Sequence, residues 1–215
     1  MKKISIITAS RAEFGILEDL IKVLSFDSRF KTELVVTGSH LSSTYGNTVE
    51  EIRNCGLTIT KEINLNLRSD EDLDICNSMS LCLKKFGLYF QNSNPDLIVI
   101  LGDRFELLPI ANAAVLFNIK IAHINGGEIS EGAIDEVISH SITKLSYYHF
   151  VGTKEFERRV LQMGESSDRV FNVGDLAISK IRKIKKLTLP EIQNKLNIKL
   201  KNKKIILITY HPVTT

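Results

Sequence analysis

Short runs of apolar, mostly β-branched residues alternate along the chain with longer stretches in which apolar positions recur at helical spacing. The apolar runs predict strands at residues 4–8, 33–37, 57–63, 96–101, 120–124, 148–151 and 169–173. The amphipathic stretches predict helices at residues 14–24, 47–54, 70–90, 104–118, 132–146, 154–164 and 175–186. This order of strand then helix predicts an α/β fold on a doubly wound, Rossmann-like parallel sheet.

The run at residues 96–101 is apolar at nearly every position, which is typical of a strand buried on both faces of a parallel sheet. In an open sheet of this kind, ligands bind at the carboxyl ends of the strands. The residues that directly follow each predicted strand are therefore the first candidates for a functional site.

The alternation of strand and helix stops after residue 186, so we expect residues 1–186 to form one domain. Residues 187–203 are basic and polar, with Pro190 near their start, and we interpret them as a connecting helix and linker. A new apolar run follows at residues 204–209. A strand with no helix behind it cannot make a domain, so we expect residues 204–215 to be the first strand of a truncated second domain.

Composition and charge exclude several classes of partner. Apolar residues make up 43% of the chain, as in ordinary globular proteins, and no apolar run approaches the roughly 18 residues that span a bilayer. The net charge of +3 comes from lysine runs at residues 180–186 and 199–204, which are typical of solvated faces, and no nucleic-acid-binding motif accompanies them. The three cysteines lack CxxC spacing. We therefore expect reduced thiols in a cytoplasmic protein that binds neither membrane nor nucleic acid.

Small residues and an arginine follow the first predicted strand. Ser10 and Arg11 open the next helix, where small side chains admit a ligand and an arginine can pair with phosphate. The alternative is a capped helix, in which Ser10 is the N-cap and Glu13 completes a capping box. The two interpretations are compatible. After the second strand, His40 either contacts a ligand or hydrogen-bonds its own loop.

Charged residues follow the fourth and fifth strands. Asp103 is a candidate for a carboxylate in the cleft, with Arg104 beside it as a candidate substrate contact. The alternative for Asp103 is a helix N-cap. After the fifth strand, His123 is either a ligand contact or a hydrogen-bonded core histidine. Asn125 and Glu128 flank two glycines, which permit close approach of a ligand.

The next helix carries Asp135, Glu136 and His140. Glu136 and His140 share one helical face, and Asp135 lies in the first turn, where an acid also stabilises the helix dipole. Three carboxylates and several histidines therefore converge on one end of the sheet, which suits proton transfer without a metal. Because no HxH or HxxxH spacing occurs, we expect no metal site.

Taken together, these motifs resemble the hydrolysing UDP-N-acetylglucosamine 2-epimerases of sialic acid and legionaminic acid biosynthesis. The matching segments occur in order along the whole chain: TASRAEFGIL (8–17), TGSH (37–40), LGDRFE (101–106), HINGGEISEGAIDE (123–136), HSITK (140–144), VGD (173–175) and HPVTT (211–215).

The resemblance implies the glycosyltransferase-B architecture, in which two Rossmann-like domains face each other and the second holds most of the UDP. It also implies a reaction in which loss of the C2 proton and anti-elimination of UDP are followed by addition of water. The substrate would be a UDP-sugar, and no cofactor would be needed. Family members often form homodimers, which we expect here too. Because only the first half of the cleft is expected in this chain, we also expect the chain by itself to be inactive.

Individual roles follow from the matched motifs. Asp103 and Asp135 match carboxylates implicated in catalysis, and Glu128 matches the acid of the GGE motif. Arg11 matches the arginine on the nucleotide side. His211 matches a histidine at the opening of the second domain that reaches the cleft. Ser10, His40, Arg104, His123, His140 and Thr214 are the remaining candidates for substrate contacts, together with Asn125.

One departure from the family pattern bears on the substrate. Several members carry a catalytic glutamate where this chain has Asn125, and an amide cannot act as a general base. Either Glu128 takes that role or the chain belongs to a branch that includes enzymes acting on UDP-diacetylbacillosamine. Two other functions fit the predicted fold. One is a glycosyltransferase of the same architecture, and the other is a nucleotide-sugar-binding module without catalysis.

Overall fold

Seven parallel strands form one sheet that helices cover on both faces. The computed structural model describes residues 1–200 and 204–209. The strands are β1 (Lys2–Thr8), β2 (Phe30–Thr37), β3 (Lys61–Ile63), β4 (Leu97–Leu101), β5 (Lys120–Ile124), β6 (Tyr148–Val151) and β7 (Val170–Asn172). Their spatial order is β3-β2-β1-β4-β5-β6-β7, and all neighbouring strands run parallel.

The helices follow the strands in the predicted alternation. They are α1 (Arg11–Phe26), α2 (Val49–Asn54), α3 (Asp72–Ser93), α4 (Leu107–Leu116), α5 (Ile134–Leu145), α6 (Lys154–Gln162), α7 (Leu176–Lys183) and α8 (Leu189–Leu196). Short 3-10 turns occur at Gly38–Leu41, Ser43–Tyr45 and Ser167–Arg169. Within the described ranges, no helix combines the length and the apolar character that crossing a bilayer requires.

Successive strand residues point to two separate hydrophobic layers. Ile6 of β1 lies opposite Leu34 of β2 and Val99 of β4, and all three pack in the layer formed with α1 and α2. The next positions, Ile7 and Val35, pack in the opposite layer with α3, α4 and α5. Side chains alternate between the faces of a strand, so both faces of the central strands are apolar. The predicted doubly wound α/β sheet is confirmed.

Some predicted boundaries are wrong because pairing or turns override the local pattern. The strand predicted at residues 57–63 forms only at Lys61–Ile63, the part that pairs with β2. Helix α4 begins at Leu107 rather than at residue 104, because Leu107 N–H donates to the carbonyl of Arg104 at 2.9 Å and closes a turn first. The connecting helix predicted within residues 187–203 is α8, whose start is held by Thr188 N–H donating to the Glu191 carboxylate at 2.7 Å.

The strand predicted at residues 204–209 is not formed. These residues are exposed and carry no regular secondary structure. A strand is stabilised by hydrogen bonds to a neighbour, and none of the strands described above pairs with this segment. Residues 210–215, the rest of that predicted segment, lie outside the described residues.

The lysines of α7 attach this helix to α1. Lys180 Nζ lies 2.6 Å from a Glu18 carboxylate oxygen, and Lys183 Nζ lies 2.7 Å from Asp19. Both pairs are partly or largely exposed, so solvent screens them and each contributes little to stability. Part of the basic run therefore serves packing between two helices.

Phe86 of α3 provides a test of the second layer. Its side chain is fully buried, and its ring centroid lies 5.8 Å from that of Phe90. We expect Phe86→Ala to lower the free energy of unfolding by about 3–5 kcal/mol in urea titrations, because it leaves a cavity. Val23→Ala on α1 is the control; the Val23 side chain is 66% exposed, and its loss should cost less than about 1 kcal/mol. Equal losses in both variants would contradict this packing.

Candidate functional site

The candidate site lies where the strand order reverses. β1 pairs with β2 on one side and with β4 on the other, so the chain adds strands in opposite directions from this point. Such a reversal opens a crevice at the carboxyl ends of the two strands, which is where ligands bind in open α/β sheets. The loop after β1 and the loop after β4 both face this crevice.

A guanidinium shared by two acids occupies the crevice. Arg104 Nε and Nη2 donate to the two carboxylate oxygens of Glu106 at 3.0 and 2.8 Å. The Glu106 side chain is fully buried, whereas the Arg104 side chain is 36% exposed. Glu13 Oε1, from the first turn of α1, lies 3.9 Å from Arg104 Nε. Arg104 therefore has buried acids on its inner side and open access on its outer side.

Glu13 is held in place by the turn before α1. Its Oε2 accepts a hydrogen bond from the backbone N–H of Ala9 at 2.7 Å. Ser10 Oγ accepts from the backbone N–H of Glu13 at 3.4 Å, so the predicted N-cap is confirmed. The predicted capping box is wrong in one respect, since the Glu13 carboxylate bonds Ala9 instead of Ser10. Burial raises the pKa of Glu13 to about 7, against the opposing effects of the Ala9 hydrogen bond and of Arg104.

Two of the acids predicted to be catalytic, Asp103 and Glu128, are half-buried in the loops after β4 and β5. Burial raises the pKa of Asp103, and the charge of nearby Asp135 raises it further. Burial also raises the pKa of Glu128, helped by the charges of Asp103 and Asp175. The charges of Asp135 and Asp103 therefore each act on the next acid along this edge of the sheet, and a common catalytic site for these acids stays a prediction. The N-cap alternative for Asp103 is wrong, because Glu106 stands at the N-cap position of α4.

His123 is a buried histidine with both ring nitrogens engaged. Its Nε2 lies 2.8 Å from the Gly102 carbonyl, and its Nδ1 lies 3.2 Å from Thr143 Oγ1. Burial lowers its pKa to about 4, so the ring is neutral at pH 7. A Cβ on Gly126 would lie 2.8 Å from Thr143 Oγ1 and 2.9 Å from His123 Nδ1. The hydrogen-bonded core alternative for His123 is therefore the one observed, and it joins the loop after β4 to α5.

His40 has the same kind of environment in the loop after β2. Its ring nitrogens lie 3.1 Å from Thr8 Oγ1 and 2.8 Å from Thr48 Oγ1, and burial lowers its pKa to about 4. Gly38 at φ 61° brings this loop against the loop after β1, since a Cβ there would lie 2.6 Å from the Ala9 carbonyl. His40 thus hydrogen-bonds neighbouring elements, the alternative to a ligand contact.

The other candidates stand in more open positions. Arg11 is 72% exposed, and its Nε donates to Glu51 of α2 at 3.0 Å. Asn125 adopts φ 63°, a left-handed conformation that asparagine tolerates better than most residues. His140 is half-buried, and its Nε2 has no hydrogen-bond partner among the residues that the structure describes. His211 and Thr214 lie outside the described residues.

Sequence reasoning did not select Glu13 and Glu106 as site residues. Both belong to segments that follow a strand, but nothing in the local pattern distinguishes them from helix-capping acids. Their burial beside Arg104 depends on contacts between the loops after β1 and β4. Asp175 was likewise not selected; it caps α7, with Oδ1 accepting from Ala177 N–H at 2.7 Å.

This arrangement suits acid–base chemistry on a substrate that carries negative charge. The outer side of Arg104 can bind phosphate oxygens, because a guanidinium donates several hydrogen bonds in a fixed plane. Acids whose pKa values are raised, as those of Asp103 and Glu128 are, take up a proton more readily than ordinary carboxyls and so suit proton transfer. Over residues 1–200 and 204–209, no three histidine, cysteine or acidic side chains form a group that could hold a metal ion.

Comparison with known proteins shows similarity to sugar-nucleotide 2-epimerases. The family model described as UDP-N-acetylglucosamine 2-epimerase matches residues 22–215. A hydrolysing GDP/UDP-N,N'-diacetylbacillosamine 2-epimerase of Campylobacter jejuni is 41% identical over 99% of this chain and 55% of its own length. The polysialic acid biosynthesis protein P7 of Escherichia coli is 38% identical over all of this chain and 54% of its own length. A hydrolysing UDP-N,N'-diacetylbacillosamine 2-epimerase of Legionella pneumophila is 35% identical over 99% of this chain and 56% of its own length.

Solved structures share the fold. The chain aligns with the UDP co-structure of S. aureus MnaA at a TM-score of 0.77 and 21% identity, over 92% of this chain and 52% of that one. It aligns with UDP-GlcNAc 2-epimerase of Neisseria meningitidis bound to UDP-GlcNAc at a TM-score of 0.73 and 18% identity, over 91% and 54%. The chain thus spans about half the length of the relatives it matches. It belongs to the UDP-N-acetylglucosamine 2-epimerase family.

Proposed function

We propose that this chain supplies the acid–base side of a hydrolysing sugar-nucleotide 2-epimerase. The observation that carries the proposal is the group of acids with raised pKa values at the carboxyl edge, beside an arginine at the strand reversal. Membership of the family and the names of the C. jejuni and L. pneumophila relatives support it. A glycosyltransferase would not need several acids at the strand ends.

The proposed reaction has two steps. A carboxylate removes the proton at C2 of the sugar while the C1–O bond to the diphosphate breaks, so UDP leaves with that electron pair and a glycal remains. Water then adds across the double bond, with its hydroxyl at C1 and a proton returned to C2 on the opposite face. The products are UDP and the free 2-epimerised sugar, and no redox change occurs.

The environment of each residue indicates which step it serves. Asp103 is half-buried, and burial together with the charge of Asp135 raises its pKa, so this carboxyl suits the exchange of the C2 proton. Glu128 has a raised pKa at the next strand end and suits the exchange of the second proton. Arg104 suits the departing diphosphate, whose charge grows as the C1–O bond breaks.

Asn125 favours a diacetamido sugar as the substrate. It stands where several family members carry a catalytic glutamate, and an amide can donate and accept hydrogen bonds but cannot remove a proton. Two relatives at 41% and 35% identity are named for UDP-N,N'-diacetylbacillosamine. We therefore propose UDP-N,N'-diacetylbacillosamine over UDP-N-acetylglucosamine, which places the product in the precursor supply of a nonulosonic acid such as legionaminic acid.

Release of UDP tests the function directly. We would join residues 1–215 to the part of the C. jejuni relative beyond its match to this chain. We expect this chimera to release UDP from UDP-N,N'-diacetylbacillosamine faster than from UDP-N-acetylglucosamine, in a coupled UDP assay. The chain alone should show no turnover. A folded chimera that binds UDP but releases none from either sugar nucleotide would sink the proposal.

Asp103→Asn in the chimera separates catalysis from binding. We expect kcat to fall about 10²–10⁴-fold, the usual contribution of general acid–base catalysis, while the Kd for UDP changes little. Asp96→Asn is the matched control. Asp96 precedes the opposite end of β4, is exposed and pairs with Lys2, so kcat should stay within about twofold of wild type. Unchanged turnover in Asp103→Asn would exclude this aspartate from the chemistry.

We further propose a homodimer, as the family resemblance implies. Apolar side chains on the outer faces of α3 and α4 are exposed, among them Leu83, Leu88 and Leu116. When another subunit covers such side chains, apolar surface is removed from water and the assembly is stabilised. Sedimentation velocity should give about twice the chain mass of 24.2 kDa at micromolar concentration. A single species at the monomer mass would contradict the proposed dimer.

A further inference from the structure

Glu13 has one carboxylate oxygen that the crevice leaves without a bond. The residue is only 4% exposed, and its Oε2 is satisfied by Ala9 N–H. Its Oε1 is buried and has no hydrogen-bond partner within the described part of the chain. A buried oxygen of an ionised carboxylate in this state is costly, whereas adding a proton removes the charge that burial penalises.

Charge counting shows why this oxygen matters for a ligand. Glu13 and Glu106 both face Arg104, so two ionised carboxylates and one guanidinium give a net charge of −1. An entering diphosphate would meet that negative charge at close range. A proton on Glu13 makes the three side chains neutral in sum and leaves Arg104 less compensated, which favours binding of an anion.

We propose that Glu13 is a positioning residue that takes up a proton from solvent at Oε1 when a diphosphate binds beside Arg104. This inference rests on the proposed function, because the diphosphate is that of the UDP-sugar. Glu13 itself does not touch the ligand, since Oε1 is buried. It acts through Arg104, whose Nε lies 3.9 Å away and whose outer side remains open. No covalent bond forms or breaks in this step.

Other charged and titratable groups around Glu13 and Arg104 have different environments. His40, on the loop after β2, has a pKa lowered to about 4 by burial and is neutral at pH 7. Two pairs of side chains on neighbouring elements bond to each other, Arg11 with Glu51 and Tyr45 with Asp70. The charge of Asp135 acts on Arg104 from α5. A further acid, Glu106, is engaged by Arg104 through both oxygens. Glu13 alone among these combines burial, a free oxygen and proximity to the cation.

The first experiment tests whether Glu13 binds a proton near neutrality. Its pKa is about 7 in the folded chain against 4.5 as its ordinary value, so the folded state binds the proton more tightly. The contribution of this proton to the free energy of unfolding is fully present below pH 4.5 and is lost as pH rises through about 7. We expect the urea midpoint of wild type, relative to Glu13→Gln, to fall over this range. A constant difference between the two proteins would overturn the proposal.

The second experiment tests coupling to the ligand. We would measure the Kd of UDP by calorimetry on the chimera defined above between pH 6.5 and 8.5, with wild-type Glu13 and with Glu13→Gln. A ligand that raises the Glu13 pKa by one unit must bind about tenfold more weakly once that proton is lost. Because the range from pH 6.5 to 8.5 spans only part of this titration, we expect the wild-type Kd to rise about sixfold more than that of Glu13→Gln. The variant corrects for titration of UDP itself.

A matched control and the remaining outcomes make the test decisive. Glu33→Gln also replaces a buried glutamate, but Glu33 is bonded to Ser5, Tyr89 and Ser93 away from Arg104, so it should keep the wild-type pH profile. Parallel profiles for wild type and Glu13→Gln would refute the role of Glu13 and leave the anion site intact. Absence of UDP binding in every variant at every pH would instead refute the anion site and the proposed function with it.

Discussion

The parallel pairing of β1 with β4 is the constraint on which the rest of the site depends. Because β2 and β3 extend the sheet on one side and β5 to β7 on the other, the loops after β1 and β4 diverge to opposite faces. The gap between them exposes the carboxyl ends of both strands. Glu13 enters this gap from α1, and Asp103, Arg104 and Glu106 enter it from the loop after β4.

Desolvation then decides how each acid in the gap behaves. Glu106 is fully buried but keeps its guanidinium partner, so its charge is compensated. Glu13 is nearly as buried, lies farther from the cation and has one oxygen without a hydrogen bond. Its protonated form is therefore favoured, and its pKa is raised. Asp103 and Glu128 are half-buried among like charges, and their pKa values rise for both reasons. One short stretch of sheet edge thus holds acids in different protonation equilibria, which is what a reaction with two proton transfers requires.

Neutral histidines form a second layer behind these acids. His123 ties the carbonyl of Gly102 to Thr143 on α5, and His40 ties Thr8 to Thr48. Burial disfavours the charged form of each ring and lowers both pKa values to about 4. These histidines position the loops after β1 and β4, so the side chains that face the crevice are held from behind.

The sequence by itself was enough to determine the order of strands and helices, the doubly wound sheet and the acids at its carboxyl edge. These features follow from apolar periodicity and from the rule that parallel strands end at one edge, both of which are local or topological. It could not determine that α4 begins at Leu107, that His123 is engaged at both nitrogens, or that Glu13 is buried beside Arg104. Burial and pKa depend on which distant segments meet, and Glu13 and Arg104 meet only after β1 and β4 have paired. The tertiary structure alone therefore decided which acid is buried beside the arginine and which histidines hydrogen-bond neighbouring elements.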